Sequence, residues 1–384
     1  MDQHIKYALA VQGGGQKGAF ASGVLDKFKK ENFDPFSLYL GTSAGALNVA
    51  AFVAGQPGLG LDFILNYTTR ERFFDFNKFV KKEQPMDLDW AFEFVNSGDF
   101  PLDIEKGRRH LGGDREALAC ITNVDEVKDY YYPIFSEDWF DVLRATCAIP
   151  MLYFRDVEFD GAKWVDGGVT ATIPVEEAYR RGFKNIVVIS TEPMSQQSAA
   201  DQITVATPRV EEADKEQGIG RFRQELEEGL APYVDKYKLH GHRDKLLDFQ
   251  KQFSKKIEEL SHEIKLPNFD SVAPEWLPDK DTLTQLVAQQ QQRLMQTSTG
   301  NKNMDMLVQH YVSHNAVRQF IQTPPEGVTL HEISPTVPLK SKGLMSSKSD
   351  ILHDYELGLL AGTEFLEAFH QEQSKNKLEQ TQSS

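Results

Sequence analysis

Two glycine turns lie within the first 45 residues, each where a short apolar run gives way to a helical pattern, and they constrain the fold more than any other feature. Gly13-Gly14-Gly15-Gln16-Lys17-Gly18 follows the strand-like run 5–12, and Gly41-Thr42-Ser43-Ala44-Gly45 follows the run 37–40. Helical patterns over 19–30 and 44–54 come next. Strand, tight turn and helix repeated in succession build parallel strands joined by helical crossovers. The alternation continues, with strands expected over 118–124, 163–165 and 185–190 and helices over 139–148 and 175–181. The fold class expected is therefore α/β, a three-layer sandwich with a mainly parallel central sheet.

Near residue 196 the pattern changes to long stretches rich in Lys, Glu, Gln and Leu. The expected organisation is an α/β core over 1–195, a helical region over 196–325 closed by Pro324-Pro325, a returning strand and helix over 326–370, and a disordered tail over 371–384. The charged runs of the helical region, including Glu227, Glu228 and 251–265, read as solvated helix faces.

Composition removes several function classes. The net charge of −15 is spread evenly, with 21 basic and 29 acidic residues up to residue 200 and 21 and 28 beyond it. A nucleic-acid partner would need a basic face, so none is expected. Transient contact with a membrane surface would have to be mainly apolar. No run approaches the roughly 18 apolar residues of a membrane span, and the first residues match a secretory signal poorly. Cys120 and Cys147 are the only cysteines, which fits a reducing compartment. A cytoplasmic location, with peripheral membrane contact, is the expectation.

The chemistry lies in the turns. In Gly41-Thr42-Ser43-Ala44-Gly45, a serine on a sharp strand-to-helix turn needs small neighbours two positions away on both sides, and the helix amino terminus favours negative charge developing there. The bland reading is a serine N-cap. Successive glycines over 13–18 expose a row of backbone N–H groups suited to an anion. That row also matches the dinucleotide pattern G-x-G-x-x-G, but the next strand ends in Gly41-Thr42-Ser43, where an acidic ribose ligand would be expected. An oxyanion hole beside a nucleophile accounts for both turns.

A serine must pass its proton to a base. Residues 1–195 contain only His4 and His110, neither at a strand end, whereas Asp166 closes a strand in Trp164-Val165-Asp166-Gly167-Gly168. Standing alone it could be an ordinary Asp-Gly turn.

Together, in this order, the three motifs resemble those of the patatin-like phospholipases. The resemblance implies a Ser-Asp dyad with Ser43 as nucleophile and Asp166 as proton acceptor, Gly167 and Gly168 completing the aspartate motif. Gly13, Gly14, Gly15, Gln16, Lys17 and Gly18 would form the oxyanion loop, and Gly41, Thr42, Ala44 and Gly45 the elbow around the serine. It implies a (lyso)phospholipid or related lipid acyl ester as substrate, with no metal and no cofactor. Lys17 stands where the family more often has arginine, which removes a bidentate fork but leaves the amides. The block 144–150, Arg-Ala-Thr-Cys-Ala-Ile-Pro, resembles the family's Ala-Ser-x-x-x-Pro segment, with Thr146 for serine, and reads as structural. The stretch 354–358 resembles a terminal helix of bacterial members.

Two rivals stay open: a Ser-His-Asp triad whose histidine is His310, His314 or His331, and a non-catalytic lipid- or nucleotide-binding protein on the same scaffold. The aromatic and cationic run 70–82 is either a lipid-touching surface or, as favoured here, a packed helix with a solvated face.

Overall fold

The computed structural model describes residues 6–75, 78, 81, 83–193 and 302–382. Two units are distinguished: 1–195 with 309–384, and 196–308. Most of the second unit, and with it residues 196–301 of the expected helical region, lies outside the described residues.

In the first unit, β1 (Tyr7–Val11), β2 (Phe36–Thr42), β3 (Glu116–Asn123), β4 (Lys128–Pro133), β5 (Val157–Phe159), β6 (Ala162–Asp166), β7 (Asn185–Ile189) and β8 (Thr329–Ile333) form an eight-stranded sheet. Its order is β5-β6-β3-β2-β1-β7-β8, with β4 also paired to β3. The pairs β3–β2, β2–β1, β1–β7 and β7–β8 are parallel, while β4, β5 and β6 add antiparallel pairs. Parallel strands are covered on both faces, which is why β1 reads Tyr-Ala-Leu-Ala-Val without polar alternation and is buried throughout.

The α-helices among the described residues are α1 (Gly18–Lys30), α2 (Ala44–Val53), α3 (Leu59–Phe63), α4 (Leu88–Ser97), α5 (Ile104–Leu111), α6 (Trp139–Thr146), α7 (Val175–Arg180), α8 (Lys302–Gln322) and α9 (Lys348–Gln382). On one face of the sheet Leu9, Val11 and Tyr39 pack with Phe20, Val24 and Phe28 of α1, Val49 of α2, and Leu366 and Phe369 of α9. On the other, Ala8, Ala10, Leu40 and Val188 pack with Val175 and Ala178 of α7 and Val317 and Ile321 of α8. These are the three layers expected.

Helices α1 and α9 approach until backbones touch: a Cβ at Gly23 would lie 2.2 Å from the Tyr355 carbonyl oxygen, and one at Gly358 would lie 2.0 Å from that of Phe20. The expected disordered tail is instead helical as far as Gln382. Its Gln, Glu, Lys and Leu residues are good helix formers and no Pro or Gly interrupts them, so α9 propagates past its packed part. Gln373 Nε2 also donates to Tyr7 Oη at 3.2 Å.

The carboxyl ends of β2, β1 and β7 are level, with Val11 paired to both Gly41 and Ile189. From β1 the chain moves to β2 on one side, while β7 fills the other. Such a switch in strand order opens a crevice beyond the strand ends, where ligands of α/β sheets bind. No helix among the described residues is long and apolar enough to cross a membrane.

Candidate active site

Ser43 takes φ 52° and ψ −126°, a conformation costly for a residue with a Cβ, between the last residue of β2 and the first of α2. Both neighbouring glycines are required by contact. A Cβ at Gly41 would lie 2.5 Å from Ala46 Cα, and one at Gly45 would lie 2.5 Å from the Val11 carbonyl oxygen. The turn is held from outside by Thr146, whose Oγ1 accepts the Ser43 N–H at 2.8 Å and donates to the Cys120 carbonyl at 2.5 Å. The hydroxyl of the Ala-Thr block therefore sets the elbow's backbone, in keeping with its structural reading.

Asp166 reaches Ser43 through strand topology. Strand β3 pairs with β2 up to Thr42↔Cys120, and with β6 from the next position, Ile121↔Asp166. Because β4 occupies the opposite edge of β3 over 118–123, β2 and β6 share one edge and meet end to end. Their last residues, Thr42 and Asp166, abut there. Gly167 fits against β3 only because it lacks a side chain: a Cβ would lie 2.2 Å from the Cys120 carbonyl oxygen.

The Asp166 carboxylate accepts the Gly168 N–H at 2.7 Å, while its backbone N–H donates to Ala148 O at 3.0 Å. Burial pushes the carboxyl up to about 7, against the smaller lowering effects of the Gly168 N–H and the Ser43 hydroxyl. Ser43 and Asp166 are both buried, at 8% and 6% exposure. The Cys147 thiol, also beside Ser43, is driven well above its ordinary range, chiefly by burial.

The glycine loop lies against the serine, and a Cβ at Gly13 would come within 3.2 Å of Ser43 Cβ. Its amides are not all available, which narrows the expected oxyanion loop. The Gly13 N–H donates to Thr172 O, that of Gln16 to Gly343 O, that of Lys17 to Gly14 O, and that of Gly18 to the carbonyls of Gln16 and Gly15. The amides of Gly14 and Gly15 have no protein acceptor among the described residues. The loop folds into a 3₁₀ turn over Gly15–Lys17, and that turn consumes donors that an extended row would have left free.

Beside Ser43, Gly15 and Ala44 opens a cavity of about 530 Å³, its mouth included. Leu47, Phe63, Ile64, Met86, Phe92 and Ile149 make its lining almost wholly apolar. Phe73, from the aromatic run 70–82, is buried and lines it too, and Phe74 bridges to Met86. Phe76, Asn77, Phe79, Val80 and Lys82 lie outside the described residues.

The three candidate histidines have other partners. His310 Nδ1 donates to Gly168 O at 2.5 Å. His314 bonds Thr172 Oγ1 at 3.0 Å and Glu192 Oε2 at 3.2 Å. His331, on β8, lies against the rings of Phe365 and Phe369. With Ser313 Oγ, which donates to Val169 O at 3.1 Å, His310 and His314 fasten α8 to the segment that follows Asp166. Sequence reasoning did not foresee this clamp, nor the contact of Gly343 with the glycine loop. Both depend on pairings with no local signal.

Comparison with known proteins gives two family matches. Residues 9–179 match the model described as patatin-like phospholipase. Residues 301–373 match a domain of unknown function, DUF6363. An uncharacterized Escherichia coli (strain K12) protein, YjjU, is 31% identical over 362 residues, covering 94% of this chain and 77% of that protein. Among solved structures, VipD from Legionella pneumophila aligns with a TM-score of 0.35 and 10% identity, over 95% of this chain and 67% of that one. That likeness is too loose to bear on the site.

Proposed function

The chain belongs to the patatin-like phospholipase family, whose members act on lipid esters, and on that premise we propose that it hydrolyses fatty acyl esters of (lyso)phospholipids or related lipids through a Ser43–Asp166 dyad. Asp166 accepts the Ser43 hydroxyl proton as Ser43 Oγ bonds to the acyl carbonyl carbon. The charge that forms on the carbonyl oxygen is met by the free amides of Gly14 and Gly15 and by the first turn of α2, whose leading N–H groups have no intrahelical acceptors. Asp166 returns the proton to the departing alcohol, leaving an acyl-serine. Water then attacks that ester, Asp166 taking its proton and passing it to Ser43 as the fatty acid leaves.

One observation carries this reading: a buried carboxylate, raised to about 7, beside a serine held at φ 52°. A base poised near neutral pH combines a useful ionised fraction with enough basicity to take a hydroxyl proton. The apolar cavity beginning at Ser43 supplies room for the acyl chain. Against a triad count the partners of His310 and His314, which spend ring nitrogens on Gly168 O, Thr172 and Glu192.

Fluorophosphonate labelling tests the proposal without a choice of lipid. The folded wild-type chain is expected to label, Ser43→Ala to lose labelling, and Asp166→Asn to lose most of it. His310→Gln and His314→Gln should each label at more than half the wild-type rate. A folded wild-type protein that never labels would sink the catalytic reading, and loss confined to one histidine variant would replace the dyad with a triad.

A further inference from the structure

The segment 334–347 joins β8 to α9 and lies wholly within the match of unknown function, yet it reaches the cavity beside Ser43. Gly343 O accepts the Gln16 N–H at 2.9 Å, and Ser346 N donates to Gln16 Oε1 at 2.7 Å. Gln16, fully buried, also donates through Nε2 to Thr68 O at 3.0 Å and Thr68 Oγ1 at 3.1 Å. One side chain thus joins the glycine loop, the wall of the cavity at Thr68, and this segment. The far end is anchored as firmly: the buried Asp354 carboxylate accepts Lys340 N at 3.1 Å, Ser341 N at 2.7 Å and Ser341 Oγ at 2.5 Å. At Gly15, with φ 57°, a Cβ would lie 2.1 Å from Gly343 O, so the two backbones touch.

Polar anchors at both ends leave Leu344 between them as an apolar side chain on the cavity wall. We propose that this strap is a wall of the acyl-binding site and that Leu344 is a specificity-determining residue that limits acyl-chain length, which makes the segment of unknown function part of the catalytic unit. The proposal rests on the acyl-hydrolase reading for its ligand, a single saturated fatty acyl chain. The remaining apolar walls, such as Phe63, Met86 and Phe92, belong to the main hydrophobic core, where a change of volume disturbs packing throughout. Leu344 is only half-buried and packs against that core from outside, on a segment whose position is set by hydrogen bonds, so a change in its size disturbs the core less than one at Phe63, Met86 or Phe92.

The test measures binding, so it does not depend on turnover. Hexanoate, octanoate, dodecanoate and hexadecanoate displace a fluorescent fatty acid from the full chain, in wild type, Leu344→Trp and Leu344→Ala. In the wild type, affinity should rise with length and then level off where the cavity ends. The larger indole of Leu344→Trp should weaken hexadecanoate relative to octanoate by about tenfold, the effect of expelling about two methylenes. Leu344→Ala should move the plateau to longer chains. The two substitutions change volume in opposite directions, so a shared loss of stability cannot produce opposite shifts. No saturable binding by the wild type, or a length profile that neither variant moves, would overturn the proposal. Binding that follows Leu344 in a protein whose Ser43 never labels would uphold it while removing the catalytic reading.

Discussion

The backbone N–H of Ser43 donates to Thr146 Oγ1 at 2.8 Å, across 103 positions of sequence. Both residues are buried, so water cannot replace the bond if the hydroxyl is removed. Thr146→Val keeps the volume and leaves the Ser43 N–H and the Cys120 carbonyl unpaired. The expected outcome is a loss of about 1–3 kcal/mol in urea unfolding and a tenfold or greater fall in ester turnover, roughly what slight misplacement of a nucleophile causes. Thr146→Ser, which keeps the hydroxyl, should retain most of both. Damage from Thr146→Ser with none from Thr146→Val would mean that the methyl group, and not the hydrogen bond, is what matters.

Asp166 links pH to both activity and stability. Its carboxyl is raised by burial from 3.8 to about 7, so the folded state prefers the protonated acid. The preference is fully present below the unfolded value and is lost as pH rises through the folded one. Asp166→Asn should therefore unfold at higher denaturant than wild type at about pH 8, by about 1–4 kcal/mol, with the difference vanishing near about pH 3. Wild-type kcat/KM should rise with pH through an apparent pKa near about 7, because only the ionised carboxylate can take the proton. A flat profile between about pH 5 and about pH 9 would rule out Asp166 as the base.

Glycine substitutions separate contact from conformation. At Gly45 an added Cβ would lie 2.5 Å from one carbonyl oxygen and 2.6 Å from another, those of Val11 and Gln12, so Gly45→Ala must push β1 and α2 apart. A loss of about 2–4 kcal/mol is expected, at the upper end of overpacking effects. Gly182 has φ 88° and nothing within 4 Å of an added Cβ, so Gly182→Ala should cost only about 1 kcal/mol, through backbone strain. Thermal unfolding of both variants checks the order, and a reversed ranking would contradict the contact argument.

Glu192 behaves oppositely to Asp166. Burial would raise its carboxyl, but the hydrogen bond and charge of His314, with the charges of Lys17 and Arg318, hold it at about 2. Its stabilising effect is present above the ordinary value of 4.5 and is lost as pH falls through about 2. His314→Gln removes the strongest of these supports and should move the acid-unfolding midpoint upward by roughly half a unit or more. An unchanged acid limb, followed by circular dichroism, would show that the pair contributes nothing to acid resistance.

Most of the first unit was legible in the sequence because its signals are local. The apolar run of β1 and the glycines flanking Ser43 mark buried strands and tight turns within a few residues of where they act. Strands β4 and β5 went unread: β4 is half-exposed and tyrosine-rich, and β5 spans only three residues, so neither carries the continuous apolar signal of a buried strand. Helices α3, α4 and α5 were missed as well, although Asp87 and Asp103 cap the last two by accepting from Trp90 N and Lys106 N.

By itself the sequence determined the strand–turn–helix units, the residue types at each turn and the two-sided burial of the sheet, since backbone sterics and side-chain periodicity act over short separations. Tertiary structure decided which amides of the glycine loop stay free, that β6 ends against β2 so that Asp166 comes beside Ser43, and that a strap from beyond β8 brings Leu344 to the cavity. Each of those outcomes needs at least one hydrogen bond or contact between residues over a hundred positions apart, such as Gly13 with Thr172 and Gln16 with Gly343, whose partners meet only once the sheet has formed.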